Sequence, residues 1–269
     1  VWLAATLARA EGGLEAPVSL AILTADHKID DPMTFRKDVE LALSVAEETG
    51  GLVTLGIPPT RPETGYGYIE AAPQDDVTRG REVFPVASFR EKPDLKTAEE
   101  FVARGGFTWN SGMFFWTLKG FSDELRAAHP EAHAIMVRIH DALVAGDQTA
   151  AEAAFRELPD LSIDYALMER AKRVYVVPAN FPWDDVGAFD ALLRTMPTDA
   201  NGNVVMGEVH AVDCEGCLLY NEAGEQVLTA VGLRDQILIQ THDAVLVAAL
   251  SDAQRVKEIV GRIKGSVFA

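Results

Sequence analysis

At 269 residues the chain is long enough to bury a large core, and one large domain with a smaller one is the natural division. Its hydrophobic share of 48%, with 24% charged residues, is that of an ordinary soluble globular protein, and no run approaches the ~20 apolar residues of a membrane helix. A net charge of −17 excludes a broad basic face for nucleic acid and requires any phosphate site to be a local cluster of cations.

The first ten residues form an apolar, Ala-rich helical pattern without the basic leader of a signal peptide. Val18 to Ala25 is a nearly continuous apolar run, the composition of a buried parallel strand, and it ends in Asp26-His27. Ligands gather at the carboxyl ends of such strands in open α/β sheets, so Asp26 is a candidate functional acid. His27 reads either as a ligand or as a neighbour that packs or caps, and the second role is favoured. Asp31 then caps a helix with Pro32 in its first turn; Phe35, Val39, Leu43 and Ala46 follow at helical spacing, and Gly50-Gly51 stops it. Leu52 to Ile57 is the next buried strand, which completes the strand–helix–strand pattern of a doubly wound sheet.

Pro58 to Ile69 is a loop feeding a strand. Gly65 and Gly67 on either side of Tyr66 allow backbone amides to approach a ligand closely, although Gly-Tyr-Gly by itself also suits a plain turn. Val86, Ala87 and Phe89 make a short apolar run that ends at Glu91-Lys92-Pro93. Asp94 caps the helix that carries Phe101 and Val102, and the chain returns with strand-like composition from Phe107 to Phe115. Asn110, Ser111 and Gly112 interrupt that strand, where polar and minimal residues are costly unless they face a ligand or a bulge. Two strand ends with polar groups, separated by one helix, make a small-molecule site layout.

From Lys119 to Arg170 the pattern is helical, with breaks near Pro130, Gly146 and Pro159, and Ser162 in Ser162-Ile163-Asp164-Tyr165 is expected to cap the last helix. His129, His133 and His140 lack the flanking glutamate of a zinc helix and read as surface residues. After a strand at Val174 to Val177 comes Phe181-Pro182-Trp183-Asp184-Asp185-Val186-Gly187, whose adjacent acids suit capping of a helix from Ala188. From about Asp199 the texture changes to short β-rich runs and a terminal helix with Val256, Ile259, Val260 and Ile263 on one face. Cys214 and Cys217 fall in a turn between such runs, without a helix start or further metal ligands, so a structural role in a reducing setting is expected.

Phe89-Arg90-Glu91-Lys92-Pro93 followed by Trp109-Asn110-Ser111-Gly112-Met113-Phe114 resembles the sugar-phosphate half of the nucleotidyltransferases that make nucleotide sugars. With Arg61 to Ile69 and Trp183-Asp184-Asp185-Val186-Gly187, the likeness is to the mannose-1-phosphate guanylyltransferases within them. The resemblance implies a Rossmann-like, doubly wound mixed α/β sheet over residues 1–198. It implies a small left-handed β-helix-like domain with a terminal helix over residues 199–269. The reaction implied is attack of mannose 1-phosphate on GTP, giving GDP-mannose and pyrophosphate. By the same resemblance Asp26 and Asp185 hold Mg²⁺, Lys92 pairs with the sugar phosphate, and Thr64, Gly65, Tyr66, Gly67, Glu91 and Asn110 line the sugar pocket.

A cytoplasmic homodimer without nucleic-acid or membrane partners is expected on the same grounds. The family's Gly-Gly-x-Gly-x-Arg loop and downstream Pro-Lys are absent from this sequence. A nucleotide segment of roughly 80 to 100 residues is therefore expected ahead of Val1, and the chain made alone is expected not to turn over. Two other functions compete: a glucose 1-phosphate transferase using dTTP or UTP, and a non-catalytic sugar-nucleotide sensor or assembly subunit.

Overall fold

The computed structural model describes residues 18–263, so the expected helix over residues 1–10 lies outside the described residues. The chain divides into two compact units. One comprises the residues up to Ala25 together with Ile29–Pro182; the other takes Asp26–Lys28 and everything from Trp183 onward.

In the first unit the main strands are β1 (Ser19–Ile22) and, past a short β2 (Lys28–Ile29) that is not part of the main sheet, β3 (Leu52–Ile57), β4 (Tyr68–Ala71), β5 (Phe84–Arg90), β6 (Phe107–Thr117) and β7 (Val174–Pro178). They form a mixed sheet in the order β1-β6-β3-β7-β5-β4. The expected buried parallel strand at β1 is corrected: β1 pairs antiparallel with β6 and is only partly buried. The crossover through α1 (Pro32–Thr49) nonetheless brings β3 back parallel to β1, because β6 is slotted antiparallel between them. Helix α1 begins and ends as its local chemistry requires. Asp31 Oδ1 accepts from the Met33 and Thr34 amides, and Gly50, at φ 62, returns its N–H to the Ala46 carbonyl.

Strand β6 runs unbroken through Asn110-Ser111-Gly112, because the interruption is a bulge. Gly56 faces Asn110 and Thr54 faces Phe114, so three residues, Ser111 to Met113, oppose Leu55 alone, with Gly112 at φ 71. Helix α2 (Leu95–Arg104) carries Phe101, which stacks on Phe107 of the returning strand. Helices α3 (Leu118–Ala128), α4 (Pro130–Val144) and α5 (Gln148–Phe155) follow. Leu52, Phe114, Trp116, Phe121, Leu125, Met136 and Leu167 make the main core of this unit. The three histidines expected at the surface are partly buried or bonded instead. His129 caps α4 by accepting from the Ala132 amide, His133 bonds Ser122 at 3.0 Å, and His140 bonds Asp141. Ser162 supplies no side-chain cap; its carbonyl accepts from Ala166, and a single π-turn forms at Asp164–Met168.

The second unit contains β8 (Trp183–Asp184), α6 (Asp190–Thr195) and six further strands, with α6 starting two residues later than the expected Ala188. Strands β9 (Val204–Met206), β11 (Leu218–Asn221) and β13 (Gln236–Gln240) stack in parallel, as do β10 (Val209–Val212) and β12 (Leu228–Val231). Leu218 lies level with Val204 and Ile237, so successive coils of a β-helix superimpose their apolar positions. Asn203 sits buried inside one corner, donating to the Cys214 carbonyl and accepting from the Cys217 amide. Both cysteines are free thiols packed with Leu219 and Ala230. Strand β14 (Val245–Ala249) adds antiparallel to β13, and helix α7 (Val256–Ile263) ends the described chain without burying any residue. No helix among the described residues is long and apolar enough to cross a membrane.

Candidate functional site

The carboxyl end of β5, the bulged β6 and the loop before β4 meet in the first unit. The Asn110 amide N–H donates to the Gly67 carbonyl at 2.8 Å, which fixes the loop's last residue against β6. A side chain at Gly67 would place Cβ 2.4 Å from Glu91 Oε2 and 3.3 Å from Asn110 Cβ, so glycine is what lets these two groups share one small space. Glu91 leaves only 8% of its side chain exposed. One oxygen meets Lys92 Nζ at 3.4 Å, while Oε2 is buried without a hydrogen-bond partner. An unpartnered buried carboxylate oxygen is expensive, and it marks a place where a donor from outside is wanted.

Burial pushes the Glu91 carboxyl above its ordinary value; the neighbouring Asp164 and Glu169 charges push it the same way, and Lys92 opposes them. Lys92 is mostly exposed and holds φ 45, a left-handed conformation that is costly for a non-glycine residue and doubly so before Pro93. Asn110 is held at both ends of its amide. Its Oδ1 accepts from the Gly112 amide at 3.2 Å and lies 3.2 Å from the Thr54 hydroxyl, and its Nδ2 donates to Asp164 Oδ1 at 2.9 Å. Glu169 accepts from the Glu91 backbone amide at 3.0 Å. In the preceding loop, Thr64 and Gly65 are exposed, and the Gly65 amide donates to Glu63. Tyr66 stands edge-on to Trp109 with ring centroids 5.1 Å apart, and the Arg61 guanidinium lies over Trp109.

The structure thus brings together Gly67, Glu91, Lys92 and Asn110, with Thr64 to Tyr66 in the adjoining loop. It adds Asp164 and Glu169, which sequence reading passed over as part of a capped helix. The two remaining acids, Asp26 and Asp185, fall in the other compact unit. There Trp183 Nε1 donates to His27 Nδ1 at 3.0 Å, and the two rings meet edge to face with centroids 5.2 Å apart. Burial lowers the His27 imidazole below its ordinary value, against the pull of the Asp26, Asp185 and Asp184 charges, so all three carboxylates act on one ring. Asp184 is committed to the Val186 amide and to Arg194 at 2.8 Å. Asp185 Oδ1 accepts from the Gly187 amide, and a Cβ on Gly187 would stand 2.6 Å from Asp185 Oδ2. Val186 between them is strained at φ 50. No group of three metal-binding side chains occurs among the described residues. Two hard carboxylates, one oriented by a backbone amide and given room by a glycine, have the chemistry of donors to a hard divalent cation.

A mixed α/β unit with polar groups gathered at its strand ends and a separate unit of stacked parallel β-coils make the chain a combination of two different folds. The profile of the Nucleotidyl transferase family matches residues 2–202, and that of the MannoseP isomerase/GMP-like beta-helix domain matches residues 207–263. The chain belongs to the nucleotidyl transferase family and carries a β-helix-like domain after it. It is 41% identical over 251 residues to a mannose-1-phosphate guanylyltransferase of Salmonella montevideo, covering 91% of this chain and 52% of that protein. It is 40% identical over 243 residues to the alginate biosynthesis protein AlgA of Pseudomonas aeruginosa, covering 90% and 50%. The chain thus spans about half the length of the curated relatives it matches. A crystal structure from Thermus thermophilus, described as a mannose-1-phosphate geranyltransferase, superposes with a TM-score of 0.82 at 35% identity, covering 98% of this chain and 74% of that one.

Proposed function

We propose that the protein transfers GMP from GTP to mannose 1-phosphate, giving GDP-mannose and pyrophosphate. The observation that carries this reading is the buried, unpartnered Glu91 Oε2 beside the anchored Asn110 amide at Gly67. A carboxylate oxygen that can only accept, next to an amide with an N–H to spare, matches sugar hydroxyls. The likeness to the mannose-1-phosphate guanylyltransferase of Salmonella montevideo supports mannose 1-phosphate as the sugar. Lys92 pairs with the phosphate of that sugar, and the Thr64-Gly65-Tyr66-Gly67 backbone closes over its hydroxyls.

Asp26 and Asp185 are the residues that would hold Mg²⁺. A cation bound there supplies charge neutralisation at phosphate oxygens. The sugar-phosphate oxygen attacks the α-phosphorus of GTP in line and pyrophosphate leaves, with no covalent enzyme intermediate. The protein's share is to hold the attacking group in place, an effect that can be worth ~7–11 kcal/mol of barrier. Residues 1–198 form the transferase domain and 199–269 the β-helix domain in this reading, in a cytoplasmic homodimer.

Pyrophosphate release by the full-length protein from GTP and mannose 1-phosphate tests the proposal, with glucose 1-phosphate plus dTTP or UTP as the competing substrates. Mannose 1-phosphate and GTP should give the higher kcat/KM. Asp26→Asn and Asp185→Asn should each abolish Mg²⁺-dependent turnover with little change in thermal unfolding. Preference for the glucose pair, or wild-type rates in both variants, would overturn the assignment.

A further inference from the structure

The π-turn at Asp164–Met168 lies next to this pocket, and its geometry has a product. Its wide turn closes with the Glu169 amide on the Asp164 carbonyl at 2.9 Å, five residues apart. In an α-helix each residue turns about 100°, so side chains five apart would point well away from each other. Here both ends of the turn reach the pocket. Asp164 takes the Asn110 Nδ2 hydrogen, and Glu169 takes the Glu91 backbone amide. Met168 and Leu167, between them, stay in the core.

The Asn110 amide has only one reading in this setting. Its oxygen must face the Gly112 N–H and its nitrogen must face a carboxylate, so the amide cannot flip. The oxygen accepts from the Gly112 amide, while the single Thr54 hydroxyl proton has its shorter bond to the Met113 carbonyl at 2.9 Å; one N–H is used by Asp164, which leaves one N–H for a ligand. Removing Asp164 would take away the acceptor at the Nδ2 end and leave the amide held only at its oxygen by the Gly112 N–H, so its orientation would loosen. Beside it, Glu91 Oε2 remains buried with nothing to accept from.

We infer that Asp164, aimed by the π-turn, is a positioning residue that fixes the Asn110 amide as a hydrogen-bond donor to a sugar hydroxyl of the substrate. The inference rests on the sugar-phosphate reading of the pocket and names the group that sets its donor–acceptor pattern. Asp164 acts through Asn110, so what matters is an acceptor at this position, not the negative charge.

The test uses the full-length protein with Asp164→Ala and Asp164→Asn, read by steady-state kinetics and by calorimetric binding of mannose 1-phosphate. Asp164→Ala should raise the KM and Kd for mannose 1-phosphate about tenfold or more, with the KM for GTP unchanged. Asp164→Asn still offers an amide oxygen to Asn110, so both constants should stay within about threefold of wild type. An unchanged sugar KM in Asp164→Ala, or an equal loss in both variants, would overturn the inference. Should Asp164→Ala fail to fold, the near-isosteric Asp164→Asn still decides: a tenfold rise would mean that the carboxylate itself meets the sugar. If wild-type protein neither binds mannose 1-phosphate nor uses it, the functional reading fails first; normal wild-type behaviour with an unaffected Asp164→Ala sinks only the positioning role.

Discussion

A single carboxyl group, Glu91, holds most of the tension in the pocket. Because burial raises its pKa, the folded protein resists ionising it while the unfolded chain does not. The unfolded state therefore binds fewer protons than the folded state between the ordinary glutamate range and the raised value. Stability from this group is fully present below that window and is lost as pH rises through it. Glu91→Gln removes the cost, so the variant should melt higher than wild type near pH 8, with the difference shrinking towards acid. Paired thermal melts across that range would show it; wild type melting higher at pH 8 would contradict it. This tension could not be read from Glu91-Lys92-Pro93, which gives the charge pair but not that Glu91 Oε2 faces the bare Cα of Gly67. Asp164 and Glu169 were less legible still, since they lie 54 and 78 residues from their partners. A π-turn has no spacing of its own to announce it.

Elements whose limits are set by neighbouring residues were legible, and elements whose character is set by the sheet were not. The cap at Asp31, the stop at Gly50 and the cap at Asp94 act within one turn of chain, so the residues themselves carry them. The direction of β1 depends on β6, nearly a hundred residues later, and apolar composition cannot distinguish a parallel neighbour from an antiparallel one. Asn110-Ser111-Gly112 was legible as an anomaly with two explanations, and the structure shows the bulge, in which Ser111 Oγ accepts from the Met113 amide and Asn110 donates to Asp164. Strand β3 shows how tightly that bulge is seated. A Cβ at Gly56 would stand 2.3 Å from Thr108 Oγ1 and 2.6 Å from Val176 Cγ2, both on neighbouring strands. Gly56→Ala should therefore cost about 1–3 kcal/mol through overpacking, measurable by denaturant unfolding. A loss below a few tenths of a kcal/mol would mean that the bulge can shift to make room.

For the whole molecule, the presence of two separate cores is the governing fact. Leu52, Trp116 and Phe121 stabilise the sheet unit, whereas Val204, Leu218 and Ile237 stabilise the coils. Leu218 is fully buried between its two rung partners, so Leu218→Ala should cost about 2–5 kcal/mol. Scanning calorimetry is expected to show two transitions, only one of which moves in this variant. A single transition that shifts as a whole would show that the units melt together. The change of texture near Asp199 falls within the second unit, whose main stretch begins at Trp183. The stacking of its short runs emerges only when residues 14 and 19 apart are laid side by side, as Val204, Leu218 and Ile237 are.

The reversal at β14 carries a consequence for growth. Parallel coils are an open-ended way to build, because the last rung offers the next one the same ladder that it received. Here the final rung, β13, is met along five residue pairs by a strand running the other way, and helix α7 follows. A further coil laid in the direction of β13 would have to pair antiparallel on β14, so among the described residues the parallel ladder ends at β13.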